Sequence, residues 1–586
     1  MQYLLSYNPT LIIIETFNFE TIESNNKLLP IALSYTENKH VNIIWVDEVS
    51  EDISLYLLLN FKSKIYYSHN LLLNFLLLIH YLNKNNIKYS WIFIEYKLYE
   101  VKIFYTNKII ILRCSHKLIP FPLETFYPTL SQKYNYISIN KIDYENIKFS
   151  ILNKNIESKL FDNTLKNKLS QTISNNLYVL QEGINTFFST LKNLNIPFSK
   201  KNLTCGSIAF NFYFKNYNQI NLNLPQEQKI FFSQAYFGGK CEVYGNVLDG
   251  EKILHFDFSG MYYNCMREEL PFGDFIFKDS NFNLKEPGFY FIDIEYYSKY
   301  PVLPIKTDKL YFKEGRICGI FWYEEILLTL KYCKIVKFKI LYAFLSLKND
   351  KILIDFLDTL NKFKDDFSIK KLIGKLLINS FYGRLALGDE INFMHLVHDL
   401  KQEKCYGLID NLYLIKKKST KKPKANLAIA AAIASKARIK LYEAQCSVIE
   451  HGGRLLYSDT DSIFAAFKKN NPIENKLLGS HVFFDTKKPN TEILDAVFIS
   501  SKTYTLVLKD NTEVIKVKGI NIRDLNFKTI KDSFFLNKKH IILNSNQISK
   551  KNLDLKTNII SKEINLQEYN KRLWIQNKTD TLPHSM

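Results

Sequence analysis

Residues 455–464 read LLYSDTDSIF. Two short apolar runs flank Asp459-Thr460-Asp461, the pattern of two strands joined by a tight acidic turn. Carboxylates at i and i+2 on extended backbone point to one side. Two like charges that close raise each other's pKa unless a cation sits between them. Oxygen ligands at a hairpin suit Mg²⁺ or Mn²⁺ far better than zinc. An Asp-rich surface turn carries the same local signature, so the reading rests on what the chain sets beside it.

The 586 residues leave room for several domains, and 46% hydrophobic residues supply real cores. A net charge of +20 beside 37 Tyr and 44 Phe suits a polyanion whose bases stack on rings, although AT-rich coding produces the same bias. Eight Cys without a C-x-x-C pair argue against zinc and against a disulfide framework. MQYLLSYNPTLIIIETF lacks the features of a signal or transit peptide, and the apolar run Leu71 to Leu82 is too short to span a bilayer. A soluble protein with no membrane partner is expected.

Strands are expected at Leu11–Ile14, Val41–Trp45, Trp91–Tyr96 and Lys108–Leu112, and helices at Leu71–Leu82 and Asn176–Leu191, an α/β pattern. FNFETIES, YSHNLLLNF, IILRCSHKLIPFPLETF and SNNLYVL follow in order. This succession resembles the 3′–5′ exonuclease domain of family B DNA polymerases, an RNase H-like fold whose carboxylates hold two metal ions. The acids of that pattern are largely replaced here: Asn18 stands where the first motif has Asp, with Glu20 kept. Asn74, Cys114 and Asn176 stand at the other acid positions, so an inactive exonuclease-like domain is expected.

Next come Tyr236-Phe-Gly238-Gly239, where two glycines allow close backbone approach to a phosphate chain. KILHFDFS then ends a strand at Asp257, and Ser259-Gly260-Met261-Tyr262 opens a helix whose backbone N–H groups suit a triphosphate. A plain capped helix reads the same way. In Asp366 to Leu385, Lys371, Lys375, Asn379 and Tyr382 are spaced four, four and three and share one helical face.

These stretches resemble three family B elements: the Tyr-x-Gly-Gly template contact, motif A, and, in full, motif B written K-x-x-x-N-S-x-Y-G. Gly260, Met261 and Tyr263 depart from the usual motif A in a way that looks like polymerases of linear mitochondrial plasmids. The resemblance makes Asp257, Asp459 and the adjacent Asp461 ligands of two Mg²⁺ ions, with Mn²⁺ as substitute. It gives Lys371 and Lys375 to the triphosphate, Lys375 also protonating the leaving group, and Ser259, Gly260 and Met261 to the nucleotide site. Tyr262 would pack under the sugar and exclude a 2′-OH, and Asn379 and Tyr382 would hold the nascent pair. Lys502 and Tyr504, in Ser-Lys-Thr-Tyr, match the primer-terminus contact.

Two further segments resemble the terminal-protein regions of protein-primed polymerases. One spans Pro271 to Lys370, with P-x-L-P and G-x-x-x-G-x-x-W-x-E-E and a helix from Tyr323. The other lies between Leu387 and Lys424 and ends in KKKSTKKPK, where Lys416, Lys417 and Lys418 begin a run read either as a solvated loop or as phosphate contacts. Ala425–Gln445 is expected to form a close-packed helix, and the Lys- and Asn-rich end a small thumb with short helical runs.

The fold class expected is α/β and α+β multidomain: an RNase H-like exonuclease-type domain, then a right-hand palm, fingers and thumb with two insertions. Residues 1–200 are read as the exonuclease-like domain and 201–270 as linker and first palm segment. The first insertion is 271–360, the fingers 361–386, the second insertion 387–424, the palm 425–520 and the thumb 521–586. The resemblance implies a monomeric, protein-primed DNA polymerase acting on DNA template and primer with dNTPs and a terminal protein, without proofreading. A mitochondrial location, on an organellar plasmid needing no transit peptide, is expected, with a cytoplasmic plasmid or virus as alternative. Two rival readings are a nucleic-acid-primed repair polymerase, against which the insertions speak, and a dead DNA-binding remnant, against which Asp257, Lys375, Asp459 and Asp461 speak.

Overall fold

The computed structural model describes all residues except 1–13, 25–26, 122–162, 200, 363–368, 388–390, 402, 420–423, 469–491, 520–525, 537–539, 549–556 and 566–570. The N-terminal part is built on β1 (Glu15–Ser24), β2 (Lys27–Glu37), β3 (His40–Trp45), β4 (Ile65–Ser68), β5 (Tyr89–Ile94), β6 (Lys97–Tyr105) and β7 (Lys108–Cys114). Two helices, α1 (Ile53–Asn60) and α2 (Leu71–Lys84), pack on this sheet, and α1 starts where Asp52 accepts a hydrogen bond from Ser54 N at 2.8 Å. The strand expected at Leu11–Ile14 starts instead at Glu15, and Leu11 to Ile13 lie outside the described residues. Phe17, Phe61, Leu71, Phe75, Phe93 and Leu112 are buried between the layers, each worth about 1.5–3 kcal/mol. Their burial does not depend on any acid at the sheet's end.

A long helix, α3 (Asn163–Asn193), leads to α4 (Cys205–Asn216) and α5 (Gln226–Ala235). Beyond them stands a seven-stranded antiparallel sheet. Its strands are β8 (Cys241–Val243), β9 (Glu251–Asp257), β19 (Arg454–Asp459), β20 (Ser462–Lys468), β21 (Ile493–Ser500), β22 (Thr503–Leu508) and β23 (Glu513–Lys516), in spatial order β23-β22-β21-β9-β20-β19-β8. The short helix α6 (Met261–Met266) follows β9. A four-stranded sheet, ordered β10-β15-β11-β14, is formed by β10 (Leu270–Lys278), β11 (Gly288–Tyr297), β14 (Gly315–Trp322) and β15 (Lys334–Asp350). The small hairpin β12 (Pro304–Lys306) and β13 (Leu310–Phe312) projects from it, and helix α7 (Tyr323–Tyr332) starts at the residue expected. This unit buries its own cluster, including Tyr290, Ile292, Leu303 and Phe321.

Two helices join the sheets. Helix α8 (Ile369–Leu385) takes the place of the segment expected from Asp366, whose residues 366–368 lie outside the described part. Helix α9 (Leu427–Glu450) is capped by Asn426, whose side chain accepts from Ile429 N, and every residue from Leu427 to Arg438 is buried. Alanines let neighbouring elements approach its backbone from all sides, as the composition implied.

Two expectations need correction. The segment between Leu387 and Lys424, whose lysine run was read either as a solvated loop or as phosphate contacts, forms β16 (Asn392–Val397), β17 (Gly407–Ile409) and β18 (Leu412–Lys418), which extend the N-terminal sheet to ten strands. Phe393 pairs with Ile94, and Trp91 Nε1 donates to Met394 O at 3.1 Å. The cause is the open edge of β5, whose unpaired backbone groups are met by alternating apolar residues such as Met394 and Leu414. Lys416, Lys417 and Lys418 therefore sit in a strand. The C-terminal part, expected to carry short helical runs, has helix α10 (Phe527–Phe535) followed by two hairpins, β24 (His540–Ile548) with β25 (Thr557–Asn565) and β26 (Arg572–Ile575) with β27 (Asp580–Pro583). Aromatic and β-branched residues such as Trp574 and Ile575 favour strands over helix.

Candidate active site

Asp257 ends β9, and the register pairs it with Ser462 at the start of β20, which is itself paired with Asp459 at the end of β19. Three adjacent strands thus stop at one level. Asp257, Asp459 and Asp461 line a single cleft of ≈ 420 Å³ together with Lys502 and Tyr504. Phe258 N donates to Asp461 O at 2.8 Å, tying the strand end to the turn. Thr460 takes a left-handed φ of 59°, a strained conformation for a β-branched residue. Its N–H donates to Lys240 O at 2.8 Å, which holds the turn down.

Burial, followed by the charges of Asp257 and Asp459, pushes the Asp461 carboxyl above the usual range. Three oxygen-donor carboxylates, one with its pKa raised by burial and by its neighbours' charges, form the donor chemistry that suits a hard divalent cation. As the side chains stand, no group of three ligating residues among those described is placed to hold an ion. Asp459 Oδ1 instead faces Lys502 Nζ at 3.3 Å. Lys502 itself has φ 62°, and its N–H donates to Tyr457 Oη at 3.0 Å.

Beside the acids, α8 turns Lys371, Lys375 and Asn379 outward while Ile373, Leu377 and Phe381 are buried. Spacing alone had placed these residues on one face. Lys375 is near enough to favour ionisation of Asp461. Tyr382 stacks on Tyr262 with ring centroids 4.4 Å apart and planes at 18°, and its hydroxyl lies 3.4 Å from that of Tyr236. Burial raises the pKa of both Tyr262 and Tyr382, so both stay neutral at ordinary pH. Ser259 is exposed and accepts from Asn264 Nδ2 through its carbonyl at 3.1 Å, while Gly260, with φ 72°, begins α6 with no side-chain cap. Met261 is buried under it.

Gly239 also packs against the acidic turn. A Cβ on it would lie 2.6 Å from Thr460 Oγ1, so it serves as the close-packing partner of the acidic turn, whereas a Cβ on Gly238 meets nothing within 4 Å. Arg438 of α9 donates to Phe237 O at 2.8 Å and to Gly238 O at 3.2 Å, and is itself paired with Glu325 of α7. Lys240, fully buried, donates to Pro301 O at 2.8 Å and lies 3.6 Å from Glu242, which Arg572 of β26 approaches at 3.9 Å. Burial pulls the Lys240 ammonium down to about 8. Arg438, Lys240, Glu242 and Arg572 did not stand out in the sequence, and the motif that contains Glu325 gave no sign of its partner Arg438, 113 residues further on.

The lysines of β18 divide. Lys416 faces Glu95 at 3.3 Å and the rings of Tyr96 and Tyr406, Lys417 lies 3.8 Å from Glu403, and Lys418 is exposed. At the end of the N-terminal sheet, Asn74 Nδ2 donates to Asn18 Oδ1 at 2.9 Å, Asn74 Oδ1 accepts from Phe19 N, and Asn18 Nδ2 donates to Glu20 Oε1 at 2.8 Å. Side-chain amides thus bond one another and Glu20 where carboxylates were expected. Cys114 Sγ lies 4.0 Å from His69 O, and Asn176 sits half-buried on α3.

Residues 171–448 match the family described as DNA polymerase type B, organellar and viral. That segment, just under half of the chain, is therefore similar to type B polymerases. The match includes Asp257 and all of α8, and it stops short of Asp459. A probable DNA polymerase of Podospora anserina is 25% identical over 528 residues, 77% of this chain and 42% of that protein. One of Ascobolus immersus is 25% identical over 601 residues, 91% and 49%. The chain therefore spans less than half the length of these two relatives. A DNA-directed DNA polymerase of Enterobacteria phage PRD1 is 26% identical over 56% of the chain and 59% of its own. Among solved structures, Phi29 DNA polymerase in an orthorhombic crystal form matches with TM-score 0.70 at 17% identity, over 94% of this chain and 100% of that one. Its ternary complex with primer-template DNA and incoming nucleotide matches with TM-score 0.68 at 16% identity. The mixed α/β multidomain fold is therefore similar to that of Phi29 DNA polymerase. No helix among the described residues is long and apolar enough to cross a membrane.

Proposed function

We propose that the chain is a DNA-directed DNA polymerase acting by two-metal nucleotidyl transfer. The observation that carries this reading is the convergence of Asp257, Asp459 and Asp461 on one cleft beside the outward face of α8. Two Mg²⁺ ions, when bound there, would activate the attacking hydroxyl and neutralise the charge of the leaving pyrophosphate. Asp257 and Asp459, with Asp461, would hold them, and ionisation of Asp461 would be completed on binding. Lys375 and Lys371 would take the triphosphate, and Lys375 would give a proton to the departing pyrophosphate. The Tyr262–Tyr382 stack gives the sugar and nascent base a rigid wall, so positioning and electrostatics carry the transfer. Extension of a primed template with dNTPs and Mg²⁺ tests the reading; no product with either Mg²⁺ or Mn²⁺ overturns it.

The first nucleotide would be added to a Ser, Thr or Tyr hydroxyl of a terminal protein, a reading supported by the four-stranded unit of residues 270–350 standing where that family carries its docking insertion. The same likeness favours a linear organellar plasmid as the DNA copied. Tyr236, Lys502, Tyr504 and the exposed Lys417 and Lys418 would contact DNA. Replacing Lys417, Lys418, Lys421, Lys422 and Lys424 with Ser is expected to shorten products at limiting enzyme and to reduce the salt slope of duplex binding by roughly one per lost contact. Single-nucleotide addition should change far less, and unchanged product lengths would make the run a surface feature only. Lys416 is left in place because it packs against the N-terminal sheet.

The N-terminal domain is expected to degrade neither single-stranded nor mismatched 3′ ends. Glu20 is the one acid kept from the resemblance, and the amides of Asn18 and Asn74 are committed to each other. Nearby Glu15 is also engaged, accepting from Thr36 Oγ1 at 3.0 Å. End-labelled oligonucleotide incubated without dNTPs measures this, beside a variant carrying Asn at position 459. Degradation that disappears on changing Glu20 would show that other acids complete a hydrolytic site.

A further inference from the structure

Lys240 is buried where four separate parts of the molecule meet, and no part of the proposed chemistry uses its side chain. It leads into β8, and Glu242 lies within that strand two residues on, so the two side chains point to one side. The Lys240 ammonium donates to Pro301 O at 2.8 Å, just ahead of β12 of the four-stranded unit. It lies over the ring of Phe312 of β13 at 4.7 Å and over that of Tyr442 of α9 at 5.7 Å. Glu242 stands 3.6 Å from it, and Arg572 of the C-terminal hairpin approaches the same carboxylate oxygen at 3.9 Å. Arg572 is fixed in its turn by bonds to Thr581 Oγ1 and Lys299 O, both at 2.8 Å.

The main chain of the same residue carries the acidic turn. Lys240 O accepts from Thr460 N at 2.8 Å, and the register sets Cys241 beside Asp459 and Glu242 beside Ser458. Strand β8 has three residues and lies at the edge of its sheet, next to β19 alone, a length at which backbone bonds give little local stability. Its position is therefore set by what its side chains grip. An ammonium enclosed by rings, a carboxylate and a carbonyl cannot shift without losing those contacts in a setting where water does not replace them. We propose that Lys240 is a positioning residue for the carboxylates: its side chain anchors the carbonyl that holds Thr460, and so sets where Asp459 and Asp461 stand. The proposal rests on the polymerase reading for the use of the cleft.

The test is Lys240→Met in the full chain. Met keeps most of the length, and loss of one cation leaves Glu242 and Arg572 as a neutral buried pair, so the variant is expected to fold. Mn²⁺ binding without DNA, counted as the part that Asp459→Asn removes, is expected to weaken about tenfold, the scale of a residue that orients metal ligands. Nucleotide addition at saturating dNTP should fall about tenfold, with the KM for dNTP and the affinity for primer-template unchanged. A role in stability alone would lower the melting temperature and leave Mn²⁺ affinity and the rate per folded molecule as in the parent, which overturns the proposal. So does the absence of any Asp459-dependent Mn²⁺ binding in the parent. Phe312→Leu, which keeps every charge and hydrogen bond of the site and removes one ring face, is the second variant. It should also weaken Mn²⁺ binding, and parental affinity there overturns the proposal if Lys240→Met does not fold. Extension assays separate the two readings: a parent that binds Mn²⁺ in the cleft but extends no primer defeats the polymerase reading alone. A Lys240→Met protein with parental Mn²⁺ affinity and extension rate defeats the positioning role alone.

Discussion

Asp459→Asn should lower nucleotide addition by at least about 10³-fold, the scale of removing one preorganised charge-stabilising group, while DNA binding is largely kept. Asn has the size of Asp without the charge, so the substitution separates the carboxylate's electrostatic role from its packing. The fold should not suffer. Asp461 is held above its ordinary pKa by burial and by the charges of Asp257 and Asp459, so its ionisation works against folding in metal-free protein. A raised carboxyl pKa means that stability falls as pH rises from the usual carboxylate range through the raised value. Removing the charge at 459 relieves part of that loss. Metal-free melting curves across pH should therefore show the variant at least as stable as the parent above that range. An extension rate within tenfold of the parent would end the assignment of Asp459 as a metal ligand.

Gly239→Ala is the second large effect expected, on the order of 10²-fold in nucleotide addition, from a residue that touches no substrate. The added Cβ would lie 2.6 Å from Thr460 Oγ1 and 2.7 Å from its Cγ2. Thr460 has little freedom to yield, since its backbone is already left-handed and its N–H is bonded to Lys240 O. The turn carrying Asp459 and Asp461 must move instead. Thr460→Gly removes both the collision and the strain, so the double variant should recover at least tenfold of the activity lost. If the double variant is no better than Gly239→Ala alone, the loss does not pass through the turn.

What could be read from the sequence was whatever repeats at short range. Apolar runs on both sides of Asp459-Thr460-Asp461 marked the hairpin, and spacings of four, four and three put Lys371, Lys375, Asn379 and Tyr382 on one face of α8. Asp257 at the end of an apolar strand pattern was equally legible. What could not be read were contacts between distant segments. The pairing of Arg438 with Glu325, and the approach of Arg572 to Glu242, join residues more than a hundred and more than three hundred positions apart, and no local pattern announces them. The turn of Lys502 toward Asp459 was missed for the same reason. A basic tract such as Lys416 to Lys418 reads as solvated surface until an apolar partner edge, here β5, is known to be within reach.

The ten-stranded sheet binds the histories of two segments. Strand β16 closes the edge that β5 would otherwise expose, and Met394 and Leu414 are buried only because the N-terminal strands lie beside them. Excising residues 14–118 alone would bare those side chains and an unpaired edge, a template for aggregation. On the proposed reading, loss of hydrolytic chemistry at Asn18 and Asn74 would release only the side chains that performed it. The domain is retained as masonry, and any viable shortened descendant would have to shed residues 392–418 in the same event.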